Sequence, residues 1–566
     1  MNSKIFKISV LFFSIFIKTF AQGPIIIGLP FESNMLQDEV TINWKTNVNS
    51  TGVVKFGLTT QLNDSVVELN SSIAHATKII NLKSSTAYYY QVGASDANGT
   101  RYSPVQIFST SSPNSSSGAM YVYFSKFVNP SVSIGEIGTV ANLSEKFIDK
   151  INNAQYSIDA MFYSLSGTVG NNIATALVNA KNRGVKVRVI MESENATSTA
   201  VSTLKINGVP FIDDKFDPLN NGVGLMHNKI GIFDFREKSM ADDDWVTVGS
   251  WNATDPGTNN DAQNVVHIQD QSLANTYTIE FEEMWGSNTE TPNANNSRFG
   301  PRKINNTPHR FIINGIPVES YFSPSDGTSS QIISQIQKAT SSVYCALLSF
   351  TRDDISLALV NKFNDGKAVR ILMDNSSDTG NEFNTLKNAG VDVLLKKNLS
   401  GLLHHKYAII NSDKPSETNV VITGSHNWSS SAENSNGENT IIIQSKRIAN
   451  LFLQEFKARY IDAGGAAQIT KINSDNNFID NEIKIINYPN PFNNSCMINF
   501  NILQKEKIKI KIYDYTGKEI STLLNEELDK GNYSIKFIGK NLPSGIYFYR
   551  FEYSSKSIFG KMQLIK

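Results

Sequence analysis

From about residue 24 to 112, apolar and polar positions alternate in short runs. Val40-Thr41-Ile42-Asn43-Trp44, Gly52-Val53-Val54-Lys55-Phe56-Gly57 and Tyr88-Tyr89-Tyr90-Gln91-Val92 are the clearest, with polar turns between them. A period of two predicts half-buried strands, and their close spacing predicts an N-terminal β-sandwich with Trp44 in its core. The run Ser109–Ser117 reads as a linker. Near residue 120 the pattern changes to strands alternating with amphipathic helices, the mark of a layered α/β architecture. After Ala467 strict alternation returns: Lys507-Ile508-Lys509-Ile510-Lys511-Ile512 sets charges on one face, and turns at Tyr515–Lys518 and Leu542–Gly545 complete a small C-terminal β-sandwich.

The α/β region repeats itself. Ala176-Leu177-Val178-Asn179 recurs as Ala358-Leu359-Val360-Asn361, and Gly184-x-x-Val187-Arg188 as Gly366-x-x-Val369-Arg370. Thr203-Leu204-Lys205 recurs as Thr385-Leu386-Lys387, and Glu280-Phe281 as Glu455-Phe456. Two copies of one α/β unit therefore occupy roughly 121–288 and 310–465, joined by the Asn- and Pro-rich stretch Asn288–Pro308. With 566 residues the chain is long enough for three to four domains.

Composition narrows the chemistry. A net charge of +0, with 18% charged residues, argues against a strongly basic nucleic-acid binder. Lys4 and Lys7 ahead of the apolar run Ile8–Ile17, with Thr19-Phe20-Ala21 after it, predict a signal peptide over residues 1–21. That run is shorter than the roughly 20 residues a membrane span needs. The two cysteines, Cys345 and Cys496, fall in different predicted domains, so no disulfide is expected, and no metal or cofactor is called for.

The chain holds only 7 histidines, yet His227-Asn228-Lys229 and His404-His405-Lys406 recur within matching apolar strands. Asp234 follows the first and Asn411 the second, and each copy continues to Gly-Ser-x-Asn: Ser250 with Asn252, Ser425 with Asn427. On a strand, residues i and i+2 share a face, so His227 with Lys229, and His404 with Lys406, point into one cleft. Two such sets around one point suit a phosphodiester. Lysine charges and polar donors bind its oxygens, one imidazole attacks phosphorus, and the other protonates the leaving alcohol. His405, one step out of phase, should face packing or surface, and His426 is not expected to take part.

The duplicated His-x-Lys-x4-Asp and Gly-Ser-x-Asn set resembles the phospholipase D superfamily over roughly 121–465. The resemblance implies His227 as nucleophile, His404 as general acid, and a largely structural role for Asp234 and Asn411. It also implies an orienting carboxylate thirteen residues past the motif serine, which falls at Glu438 in one copy and Gln263 in the other; the spacing leaves open which imidazole each serves. Leu82-x-x-x-Thr86-x-Tyr88-x-Tyr90-x-Val92 resembles a fibronectin type III strand. Asn487-Tyr488-Pro489-Asn490-Pro491-Phe492, the Asp514–Lys518 turn and Ser544-Gly545-Ile546-Tyr547 resemble the type IX secretion C-terminal sorting domain over 486–566, which implies that secretion machinery as a partner and a secreted or cell-surface location. A phospholipid is the expected substrate, because apolar Leu225-Met226, Leu399 and Leu402-Leu403 precede the motifs. Nucleic acid is the alternative substrate, with Lys396-Lys397 the only basic pair near a motif. A catalytically inactive surface-binding protein is disfavoured by both copies retaining His, Lys, Ser and Asn. Both half-sites lie in one chain, so a monomer is expected to be active.

Overall fold

The computed structural model describes residues 23–237, 240–414, 416–465, 483, 485–539, 541–554 and 556–565; the expected signal peptide lies outside them. Among the described residues no helix is long and apolar enough to cross a membrane.

Residues 23–82 and 88–108 form a unit of their own, a six-stranded antiparallel sheet domain. Its longest strand, Glu39–Gly57, shifts register twice between Lys45 and Gly52. Bulges of this kind bend a strand. Val40, Ile42, Trp44, Val54, Tyr90 and Val92 fill its core, so the predicted inward positions are the buried ones.

The duplicated region folds into two eight-stranded mixed sheets of matching order. In the first, Phe211–Asp213, Lys186–Met191 and Ser157–Phe162 run parallel. Lys229–Phe233, Trp245–Gly249, Asn264–Gln269 and Met120–Phe124 then follow as antiparallel neighbours. The second sheet repeats this with Asp392–Leu395, Ala368–Met373, Ser342–Leu347, Lys406–Ile410, Val420–Gly424, Glu438–Ile443 and Ile316–Ser323. These central strands are buried on both faces, which their continuous apolar runs require.

Helices cover the outer faces. Leu143–Asn153 buries Leu143, Phe147 and Ile151 at helical spacing, and the Asn142 side chain accepts from the backbone N–H groups of Ser144 and Glu145. Such an N-cap stabilises a helix by about 1 kcal/mol. The inner faces share a single core. Helices Gln271–Trp285 and Lys446–Asp462 both lie in it, and Phe124 of the first half meets Phe452 of the second edge to face, centroids 5.2 Å apart. Burial of large apolar side chains, each worth about 1.5–3 kcal/mol, holds the halves together.

The serine-rich run read as a linker is hydrogen-bonded to the first half: Ser112 Oγ donates to Asp270 Oδ2 (2.7 Å) and Ser117 Oγ to Gln269 Oε1 (2.8 Å). Beyond residue 484, three- and four-stranded antiparallel sheets enclose a core that includes Ile498, Phe500, Ile510 and Phe551.

Candidate active site

The motif histidines do not lie on the strands as expected: each stands two residues ahead of a central strand, whose first residue is Lys229 or Lys406. The backbone entering each motif bonds to the opposite half. His227 N–H donates to Gly437 O (2.9 Å) and Gly437 N–H to Leu225 O (2.8 Å). By the same pseudo-symmetry, His404 N–H donates to Ala262 O (3.0 Å) and Ala262 N–H to Leu402 O (2.8 Å).

The side chains cross in the same way. His227 Nδ1 lies 2.7 Å from Glu438 Oε2, so the first half's imidazole is oriented by the second half's carboxylate. His404 Nδ1 lies 2.8 Å from Gln263 Oε1 and 3.1 Å from Ser250 O, so the second half's imidazole is held by the first. The oxygen partners accept, which assigns the proton to Nδ1 of each ring and leaves a lone pair on Nε2; at His404 the Lys406 ammonium lies 3.2 Å from that Nε2. Glu438 and Gln263, expected from the thirteen-residue spacing, thus lie against the imidazoles in a crossed pairing that the spacing left open.

Ser250 and Ser425 anchor the turns that carry these orienters. Ser250 Oγ accepts from Asn264 N–H (3.1 Å) and donates to Gln263 Oε1 (3.0 Å), while Ser425 Oγ accepts from Asn439 N–H (3.0 Å). The preceding glycines make this close approach feasible. Gly249 (φ 154) and Gly424 (φ 148) lie so near the next strand that a Cβ would collide with the carbonyl oxygens of Asn264 and Asn439. Asn252 Oδ1 and Asn427 Oδ1 are buried and have no hydrogen-bond partner among the described residues.

Asp234 and Asn411 sit away from the cleft, at φ 66 and φ 59. Asp234 accepts from the backbone N–H groups of Gln155, Tyr156 and Ser157; Asn411 Oδ1 accepts from those of Thr340 and Ser341. Each ties the end of its motif strand to the start of the neighbouring one.

Lys229 and Lys406 are 7% and 2% exposed, and each Nζ donates to the carbonyl oxygen of the histidine two residues earlier (2.8 and 2.9 Å). Burial lowers the Lys229 ammonium to about 7 despite the Glu438 charge. Burial, then Lys229, pushes Lys406 well below its ordinary value. His227 falls to about 4, chiefly through burial, against the raising effect of Glu438. His404 falls well below its ordinary value for the same reason, with Lys406 and Lys229 adding to it. Burial alone would raise Glu438, but His227 and Lys229 more than offset that and hold it ionised. Glu438 is thus the carboxylate felt by His227, Lys229 and Lys406, while His404 sits beside two lysines with no carboxylate of its own among the described residues, an arrangement that a bound anion would stabilise.

Sequence reasoning missed three residues around these groups. Glu192 Oε2 accepts from Met226 N–H (2.6 Å) and Asp374 Oδ1 from Leu403 N–H (2.7 Å), fixing the backbone just before each histidine. They occupy matching positions 182 residues apart, a signal visible in the repeat. Tyr163 is the third; its ring meets that of His227 with centroids 4.5 Å apart. His405 is fully buried rather than at the surface, between Asn264 Nδ2 (2.9 Å) and Glu455 Oε1 (3.1 Å), so packing is its role. His426 lies 3.4 Å from Glu433 Oε2.

Comparison with known proteins matches residues 147–285 and 332–460 to the "Cardiolipin synthase, PLD-like domain" family, and 469–566 to the "Secretion system C-terminal sorting domain". Phospholipase D of Rickettsia conorii is 35% identical over 144 residues, 25% of this chain and 68% of that protein. Mitochondrial cardiolipin hydrolase of Mus musculus is 30% identical over 135 residues, 24% of this chain and 58% of that protein. Among solved structures, the phospholipase D family member Nuc from Salmonella typhimurium is 29% identical, covering 26% of this chain and 94% of its own, with a TM-score of 0.23. The C-terminal match indicates a secreted or cell-surface protein.

Proposed function

The chain belongs to the phospholipase D superfamily of phosphodiesterases, and from that premise we propose a secreted phospholipase D that hydrolyses phosphatidyl head-group esters to phosphatidate and a free alcohol. The observation that supports this reading is the burial of two imidazoles and two lysines together, with His227 held by Glu438 and His404 by Gln263, each from the opposite half.

His227 is the nucleophile. Glu438 accepts its Nδ1–H and stabilises the positive charge that develops on the ring as Nε2 attacks phosphorus. His404 is the acid: the bound phosphodiester anion favours its imidazolium, and neutral Gln263 holds the ring without retaining its proton. The bond from phosphorus to the head-group oxygen breaks, and that oxygen takes the proton from His404. Water then attacks the phosphohistidine and gives a proton to His404, and the P–N bond breaks to release phosphatidate. Lys229, Lys406, Asn252 and Asn427 bind the non-bridging oxygens, where charge accumulates in the transition state. Ser250 and Ser425 position these groups.

Two observations favour a lipid. Of the apolar residues expected to flank the cleft, Met226 and Leu403 are instead buried in the shared core, but Leu402 is 41% exposed, and Leu219 and Val223 on the loop before the first motif are 68% and 52% exposed. Lys396, of the basic pair on which the nucleic-acid alternative rested, is committed to Asp374 Oδ1 (2.7 Å) and Gly401 O (2.8 Å). On the same reading the N-terminal sheet domain is a fibronectin type III-like spacer, and one chain suffices for activity.

Incubation with phosphatidylcholine vesicles and, separately, single-stranded DNA, both in EDTA, tests the substrate class. Choline release without DNA cleavage is expected; DNA cleavage without choline release replaces the lipid reading with a nuclease, and inactivity on both leaves a surface-binding protein. A His404→Ala variant should accumulate phosphohistidine at His227, whereas label at residue 404 in His227→Ala would reverse the roles.

A further inference from the structure

The strands beside the two motifs meet them in equivalent register, Phe162 opposite Lys229 and Leu347 opposite Lys406. The next residue along each strand is therefore equivalent too. It is Tyr163 in the first half and Leu348 in the second, both half-buried.

This one difference coincides with a different placement of the two lysines. The Tyr163 ring packs against the His227 ring at an interplanar angle of 66°. Lys229 Nζ lies over the same tyrosine, 4.9 Å from its centroid. In the second half Lys406 Nζ lies against its own histidine, 3.1 Å from His404 Nδ1 and 3.2 Å from Nε2. An ammonium is attracted to an aromatic face, and edge-to-face packing restricts how a neighbouring ring can turn. An ammonium that instead donates to Nε2 occupies the lone pair a nucleophile needs.

We infer that Tyr163 is a positioning residue for the attacking step: its ring draws the Lys229 ammonium off the His227 imidazole and fixes the plane of that imidazole, so that Nε2 stays open toward phosphorus. This deepens the proposed function and rests on His227 being the nucleophile. The aromatic ring carries the effect; the phenol hydroxyl is not needed. Leucine at the equivalent position leaves Lys406 resting on His404, which enters the reaction as an acid and needs no free lone pair at the outset.

The test uses the full chain and bis(p-nitrophenyl) phosphate, whose leaving group departs without acid assistance and so isolates the attack. With enzyme in excess, nitrophenolate release and label on His227 are followed for the wild type, Tyr163→Leu and Tyr163→Phe, with unfolding midpoints recorded for all three. Tyr163→Leu should slow the covalent step by about 10²-fold, the scale on which small misplacements act, while Tyr163→Phe stays within about twofold of the wild type. The pH profile separates this from general loosening. The wild-type rate falls above pH 7 as Lys229 loses its proton, whereas in Tyr163→Leu that deprotonation relieves the obstruction and the fall is shallower. Equal rates in the wild type and Tyr163→Leu, with label on His227, would overturn the proposal alone. A loss that phenylalanine does not restore would also overturn it. Label on His404 in the wild type would overturn the nucleophile assignment and this proposal together.

Discussion

Asp234 and Asn411 show how much one position tolerates when its task is geometric. Both are in the left-handed region that Asp and Asn enter more easily than most residues, and both use one oxygen to gather backbone N–H groups of the adjoining strand. Asp234→Asn should therefore cost less than about 1 kcal/mol, whereas Asp234→Ala, which strands buried donors, should cost about 2–3 kcal/mol, read from the shift in unfolding midpoint. The departure at Asn411 was legible from spacing alone. The partner of each imidazole was not, because that depends on how the halves dock, which local sequence does not encode. The titrations give a second residue-scale prediction. On the proposed roles, His227 must be neutral to attack, and it takes up a proton as pH falls through about 4. Lys229 must be charged to bind the phosphate and loses its proton as pH rises through about 7. kcat/KM on a soluble phosphodiester should accordingly rise above pH 4 and decline above pH 7. A profile flat to pH 9 would refute the assigned charge on Lys229.

At the scale of elements, the alternation of apolar positions locates the central strands, and the 182-residue frame pairs them between copies. Sheet order is another matter: Lys229–Phe233 lies beside Ser157–Phe162, with a whole parallel layer threaded elsewhere, and nothing in the strand's own pattern says so. The serine-rich run makes the same point. Its composition suits a linker, but its hydroxyls find partners at Gln269 and Asp270 that only tertiary structure brings near. Gly249 and Gly424 each end a strand where the next one passes too close for a side chain. Gly424→Ala should push Ser425 and Glu438 apart, lowering stability by about 2 kcal/mol or more and abolishing most activity, as judged by melting and turnover together. An active, stable variant would mean that the approach is looser than the structure indicates.

At the scale of the whole molecule, the two halves share one apolar core and one reaction centre, and the covalent connection between them matters less than either. A protease site inserted at the exposed pair Asn295-Asn296 should be cleavable with little loss of activity, because the core still holds the pieces. Denaturing the nicked protein and separating the pieces should remove activity completely, since neither fragment contains both an imidazole and its orienter. Residual turnover by one isolated fragment would contradict the crossed arrangement. The crossing also means that the docked interface works as a fuse. A slight parting of the halves disconnects Glu438 from His227 and Gln263 from His404 in the same instant, so heat or denaturant should switch turnover off abruptly, below the temperature at which either sheet melts. Neither half can drift independently over generations, because a change that moves a strand in one is felt at the imidazole of the other.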